Sequence, residues 1–160
     1  MGTETSVQFG NNRMDAAIMA GGSYWNGAVY GGTVDGSAWG IGGQQAVAVG
    51  NSICADGSVT KENCSAKISA INACLNMYDG ATNTTVKTCN QAVADSTSGV
   101  IVQGGDSGGP VLRHTSTLDQ VAGVGSIVGG SDNGLHMSFT QIQNFSSTFG
   151  VTVVTGWPCC

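Results

Sequence analysis

The sequence predicts an all-β protein, a sandwich or a barrel. Three observations carry this reading. Apolar runs are short, turn residues recur every few positions, and the chain holds 26 glycines in 160 residues with only 9% charged side chains. The length favours a single domain. Five Lys and Arg against ten Asp and Glu leave a net charge of −5. That balance argues against a nucleic-acid partner and against an anionic membrane surface. No apolar run approaches the roughly 18 residues of a membrane span. Cysteines stand at 54, 64, 74, 89, 159 and 160. An even count in a chain poor in charge suits an exported, disulfide-bearing protein, so a secreted, extracellular location is expected. None forms a Cys-x-x-Cys pair and neither His114 nor His136 neighbours a cysteine cluster, so no metal and no cofactor is expected. Met1 to Asn12 lacks the basic start and apolar stretch of a signal peptide, and any export signal is expected upstream.

The elements follow in order. Gly2 to Phe9 reads as a strand with Val7 and Phe9 on one face, and Asn11-Asn12 is a turn. Asp15 opens a small apolar strand, Ala16 to Met19. Between Tyr24 and Gly50, Gly-Gly steps separate short strands, with candidates at Val29-Tyr30 and Ala46 to Val49 and with Trp25 and Trp39 as core or barrel-end aromatics. Asp56-Gly57 is a tight-turn signal between Cys54 and Cys64. Ala66 to Asn76 alternates like a strand, although Ile68, Ile71 and Leu75 also fit helical spacing. Cys74 and Cys89 flank Asp79-Gly80, and four cysteines allow three pairings, of which sequence neighbours are preferred. Gly99 to Val102 reads as a strand, Val111-Leu112 begins another, Val121 to Val128 is the strongest, and Leu135 to Ile142 is the next.

Between two of these apolar runs stands Gln103-Gly104-Gly105-Asp106-Ser107-Gly108-Gly109-Pro110-Val111. A serine hydroxyl is a weak nucleophile until a base takes its proton. Glycines beside it allow backbone N–H groups to turn toward a developing oxyanion. A polar glycine turn with no chemistry is the plain alternative, and the ordered run Gly105 to Pro110 is far more restrictive than a lone Gly-x-Ser-x-Gly pattern.

This run resembles the nucleophile segment of the chymotrypsin-fold serine endopeptidases, and Asn12-Arg13-Met14-Asp15-Ala16-Ala17-Ile18 resembles the triad-Asp segment of their streptogrisin-like bacterial branch. Cys54 to Cys64 is similar to a disulfide-closed loop of the same branch. The resemblance implies an antiparallel Greek-key six-stranded barrel, the second half of the two-barrel fold. It would span residues 1–156, with 1–20 as inter-barrel strand and Asp segment and 157–160 as a tail. It implies Ser107 as nucleophile, Asp15 as the triad acid, the N–H groups of Gly105 and Ser107 as oxyanion hole, and Asp106 as the acid that shapes the loop. A basic partner is expected for Asp106, and because Ala55 occupies the usual place, Lys61 or Arg113 is the replacement. Bridges Cys54–Cys64 and Cys74–Cys89 follow, the first adding about 2–3 kcal/mol.

Ile101, Val128, Gly129, Gly130 and Met137 are expected around the substrate pocket. The absence of charge at Ile101 and Met137 argues against basic side chains and for medium apolar ones. Phe145, Phe149 and Gly150 to Val154 resemble the family's closing turn and last strand, with the Cys159-Cys160 pair beyond. The triad histidine precedes the Asp by several tens of residues in this family, on the first barrel, and only fourteen residues precede Asp15. The expectation is therefore a serine-type endopeptidase acting on proteins or peptides through an acyl-enzyme, lacking its His-bearing N-terminal barrel and inactive or nearly so alone. The alternatives are a non-catalytic, protease-derived peptide-binding module and an unrelated secreted β-structure.

Overall fold

A computed structural model describes residues 3–20, 26–31, 38–80 and 82–156. Trp25 and the tail 157–160, with Cys159 and Cys160, lie outside the described residues. The described residues form ten strands and one helix: β1 Thr3–Gln8, β2 Ala16–Ala20, β3 Ala28–Tyr30, β4 Ala38–Gln44, β5 Ser52–Gly57, β6 Lys61–Asp79, β7 Thr84–Ser96, β8 Pro110–His114, β9 Gln120–Gly130, β10 His136–Gln141 and α1 Ile142–Phe149.

Six strands close a barrel. Around it the order is β5, β6, β7, β10, β9, β8 and back to β5, and every one of these pairings is antiparallel. Strand β8 returns to lie beside β5, the first of three consecutive neighbours, which is Greek-key order. Alternation fills the interior: Met137 and Phe139 from β10, Ile53 and Ala55 from β5, Ala66 and Ile68 from β6, and Val124 and Ile127 from β9 share one buried cluster. The expected six-stranded antiparallel barrel is what forms.

Strands β6 and β7 run on past the barrel as a long hairpin. Their register shifts three times, and the outer residues of β6 alternate between exposed and half-buried. This resolves the ambiguity at Ile68, Ile71 and Leu75 in favour of a strand. Disulfides Cys54–Cys64 and Cys74–Cys89 form as expected, the second in the outer hairpin.

Three local expectations are corrected. Gly99 to Val102 is not a strand. Ile101 and Val102 are buried there without a ladder, and the Ile101 N–H donates to the Gly134 carbonyl at 2.8 Å. Ala46 to Val49 is a turn, because the Asn51 side chain accepts from the Ala48 N–H at 3.1 Å and the Asn51 N–H returns to the Ala48 carbonyl. The closing segment is a helix rather than a turn and strand. Ile142, Phe145 and Phe149 repeat at three and four residues, and Gly150 ends the helix at φ 66°, its N–H donating to the Ser146 carbonyl.

Strands β3 and β4 pack on the barrel's outside, β4 running parallel to the start of β9. One carboxylate fixes them. Glu62 of β6 accepts from the Trp39 indole N–H at 3.1 Å and pairs with His114 of β8 at 2.6 Å, while the Trp39 and His114 rings meet edge to face at 4.9 Å. Glu62 and His114 also lie within 4.8 Å of the Cys54 and Cys64 sulfurs, but those sulfurs are bonded to each other and provide no thiolate. The cluster is a hydrogen-bonded hub. Glu62→Ala should therefore cost about 1–3 kcal/mol in urea unfolding, with the Trp39 fluorescence change tracking the loss, because a half-buried indole N–H is left unpaired.

Candidate functional site

The site is built on the loop between Val102 and β8. Two glycines in it adopt a conformation that L side chains rarely take, Gly105 at φ 102° and Gly108 at φ 85°. The Asp106 N–H closes on the Gln103 carbonyl and the Gly109 N–H on the Asp106 carbonyl, giving two consecutive turns. Reciprocal bonds of 2.8 Å, Gly108 N–H to Ile127 and Ile127 N–H to Gly109, then zip the loop onto β9. The N–H groups of Gly105 and Ser107 donate to no acceptor among the described residues.

Asp106 holds this loop from below. Its carboxylate is 1% exposed and takes four hydrogen bonds: Val59 N–H at 2.7 Å, Thr60 N–H at 3.1 Å, Thr60 hydroxyl at 2.8 Å and Gln103 N–H at 2.8 Å. Burial alone would raise its pKa, but the donors from Val59, Gln103 and Thr60 prevail and hold it below the ordinary carboxylate range. This corrects the expectation of a basic partner. The Lys61 ammonium donates to the Ser58 carbonyl at 2.7 Å, and no hydrogen bond or ion pair joins Arg113 to Asp106. The 58–60 turn does the work of a cation with backbone amides, and the Ser58 hydroxyl donates to the Gly105 carbonyl at 2.6 Å. No side chain fits between the two segments: a Cβ on Gly57 would stand 2.2 Å from Asp106 Cγ.

A cavity of about 580 Å³ opens beside Ser107, floored by the loop and walled by the end of β9 and residues 131–134. Gly129 and Gly130 line it as expected. Ile101 and Met137 do not, since they are 0% and 1% exposed within the barrel core. The apolar wall comes instead from Val100 and Val102, the two neighbours of Ile101. The rest of the lining is polar, including Gln103, Ser131, Asn133 and one charged residue, Asp132. Gly130 is required by crowding, because a Cβ there would lie 2.2 Å from Val102 Cγ1 and 2.6 Å from the His136 carbonyl. Val128 presents its carbonyl oxygen, which accepts from the Ser107 hydroxyl at 3.0 Å.

Asp15 approaches from the other side of the ladder. Residues 12–13 run along β7, with the Asn12 N–H on the Lys87 carbonyl and the Cys89 N–H on the Arg13 carbonyl. The Asp15 carbonyl accepts from the buried Thr140 hydroxyl of β10 at 2.7 Å. Thr140 is the register partner of Ser126, two residues before Val128. Asp15 and Ser107 are thus anchored to nearby rungs of the β9–β10 pair. The Asp15 carboxylate is half-buried and has no hydrogen-bond partner among the described residues, and burial raises its pKa. Both histidines are engaged elsewhere, His114 with Glu62 and His136 with Asp95 at 2.8 Å.

Sequence reasoning missed two contributors. One is the 58–60 turn, which reaches Asp106 through two backbone amides and the Thr60 hydroxyl rather than through a charged side chain. The other is Met77 of β6, whose methyl would lie 3.2 Å from a Cβ on Gly129, so the outer hairpin reaches the cavity's β9 wall.

No protein-family model matches the sequence, and a search of curated proteins finds no match. Solved structures do match. One is a glutamic-acid-specific serine protease that uses a histidine triad in substrate binding, 25% identical over 96% of this chain and 73% of that one, with a TM-score of 0.73. A chymotrypsin of Cellulomonas bogoriensis is 22% identical over 97% and 76%, at 0.74. Protease A of Thermobifida fusca is 25% identical over 89% and 69%, at 0.69. The barrel is therefore of the chymotrypsin-like kind that these serine proteases share.

Asp106 sets a direct test of the loop. Its pKa is lowered in the folded state, so its stabilisation is complete above the unfolded-state value of about 3.9 and is lost as pH falls through the lower folded value. Asp106→Ala should cost about 3 kcal/mol or more at pH 7 by leaving several buried donors unpaired. The difference from wild type, measured by urea unfolding, should shrink below about pH 4.

Proposed function

We propose that this chain carries the nucleophile and the orienting acid of a secreted serine endopeptidase. In this reading Ser107 forms the acyl-enzyme, the free N–H groups of Gly105 and Ser107 stabilise the oxyanion, and Asp15 orients the general base. The cavity beside Ser107 receives the side chain that precedes the scissile bond of a protein or peptide substrate. The observation that carries the reading is the pair of unpartnered amides flanking Asp106 on a loop whose serine borders the cavity.

The general base is a histidine outside this chain. Both histidines present are committed to carboxylates, and the half-buried, unpartnered Asp15 carboxylate with its raised pKa suits a group awaiting an imidazolium. Residues 1–156 then form the C-terminal barrel with its connecting segment, and the N-terminal barrel is the partner that supplies the imidazole. The Ser107 hydroxyl meanwhile rests on the Val128 carbonyl, an acceptor that cannot take its proton away. That same contact favours a second reading, a peptide-binding module that has given up catalysis.

A fluorophosphonate probe and a peptidase assay separate the two. Joined to a His-bearing upstream barrel, the chain should label at Ser107 and hydrolyse peptides. Ser107→Ala should abolish both, and Asp15→Asn should lower kcat by about 10³-fold or more. Peptide binding by the joined protein with no Ser107-dependent turnover would establish the module instead.

A further inference from the structure

A second cavity lies behind the nucleophile loop and belongs to no part of the proposed peptidase site. It has a volume of about 350 Å³ and is bounded by Val29 and Tyr30 of β3, Asp56 and Gly57 at the end of β5, Lys61, and Gly109-Pro110 at the start of β8. Asp56 is its anchor. The residue is 7% exposed, yet its carboxylate has no hydrogen-bond or ion-pair partner among the described residues. Its oxygens are not fully buried, so the carboxylate presents open acceptors to a ligand in the cavity.

The surroundings say which kind. Asp56 stands directly opposite Glu62 in the β5–β6 register, and like charges placed so destabilise each other. Glu62 is relieved by Trp39 and His114, while Asp56 is not. Lys61 lowers the Asp56 pKa by its charge, but its ammonium is held by the Ser58 carbonyl. Burial first and Glu62 second, against Lys61, leave the Asp56 pKa raised to about 6. The protein therefore loses stability as this acid ionises between about pH 4 and pH 6, a cost that a bound cation would offset. Ser58 adds a polar edge, its hydroxyl committed to the Gly105 carbonyl, and the other side chains of the wall, Val29, Pro110 and the largely exposed Tyr30, are apolar or aromatic. One carboxylate with apolar walls does not suit a divalent metal, which takes several oxygen ligands. It suits an ammonium head on an aliphatic stem, with the Tyr30 ring adding a cation–π contact.

We propose that the cavity between β3, Asp56 and Pro110 is a binding site for a primary alkylammonium group, its head on the Asp56 carboxylate and its stem against Val29, Tyr30 and Pro110. The site is coupled in space to the Ser107 loop. A Cβ on Gly109 would stand 2.7 Å from the Asp56 carbonyl, and Gly57 packs against Asp106. It does not depend on Ser107 chemistry, and Ser107→Ala should bind the ligand as wild type does, so failure of the peptidase reading leaves this one standing.

The test is a titration of the full chain with n-butylamine at pH 7.5, with n-butanol as the neutral control, followed by amide chemical shifts. Saturable shifts at Val29, Tyr30 and Gly109 are expected for the amine and not for the alcohol. Asp56→Asn should weaken binding at least 10-fold, and the variant should be at least as stable as wild type at pH 7.5. Lys61→Met should bind as tightly or more tightly. Equal binding by Asp56→Asn, equal binding of butanol, or the absence of shifts at these residues in wild type would each overturn the proposal. Binding seen only in Lys61→Met would also overturn it, showing that the protein's own lysine fills the place.

Discussion

The structure of the site depends on one buried carboxylate and the turn that solvates it. Asp106 lies 46 residues beyond Thr60, and four hydrogen bonds join the Asp106 carboxylate to the 59–60 turn and to Gln103. A carboxylate out of water is costly unless its oxygens are satisfied. Here four donors satisfy them, and in doing so they fix the conformation on either side of Asp106. With the acid pinned below, the chain must turn at Gly105 and again at Gly108, and both turns require positive φ. The amides of Gly105 and Ser107 are left without internal acceptors by the same geometry. The free donors are thus a consequence of satisfying the acid between them.

The barrel provides the rigid frame for this. The Cys54–Cys64 bridge and the β5–β6 ladder hold the 58–60 turn, and the β9 rungs at Ile127 hold the other side of the loop. Glycine has a specific use at the contacts. Gly57, Gly109, Gly125 and Gly130 each approach another backbone or a buried side chain more closely than any Cβ allows. A chain with 26 glycines can therefore nest its loops directly on one another, and Gly57, Gly109 and Gly130 do so around the site.

Much of this was legible in the sequence, and the exceptions have physical causes. The all-β class followed from turn chemistry, and the Cys54–Cys64 and Cys74–Cys89 bridges followed from a preference for sequence neighbours, supported for the first by the family resemblance. The partner of Asp106 was not legible because three backbone amides and one threonine hydroxyl perform the role that a basic side chain was expected to fill. Ile101 was misplaced because successive side chains in extended chain point to opposite sides, so that its neighbours Val100 and Val102 line the cavity while it enters the core, and Met137 enters the core with it. Gly99 to Val102 has the apolar run of a strand, but only Ile101 and Val102 are buried, and the Ile101 N–H pairs with the Gly134 carbonyl instead of a ladder. The helix at Ile142 was hidden by Thr, Val and Gly nearby, although its apolar spacing of three and four was present.

Three aspartates near the loop show how environment assigns roles to one side chain. Asp106 is the most enclosed, and because it is fully bonded its pKa falls. Asp15 and Asp56 are less satisfied, and burial pushes theirs up. A structural acid gains stability from its hydrogen bonds, and the first follows that rule. The other two lower the stability of the isolated fold at neutral pH, since each must ionise in a place that disfavours its charge. Such residues persist where a positive group is to be met, and perturbed acids at a cleft or cavity wall are candidates for function on that ground. The two positions have different anchors, Asp15 on Thr140 of β10 and Asp56 at the cavity behind Pro110. Asp15 and Asp56 each lack a hydrogen-bonded partner among the described residues, and the one acid that is fully bonded is the one that shapes the loop.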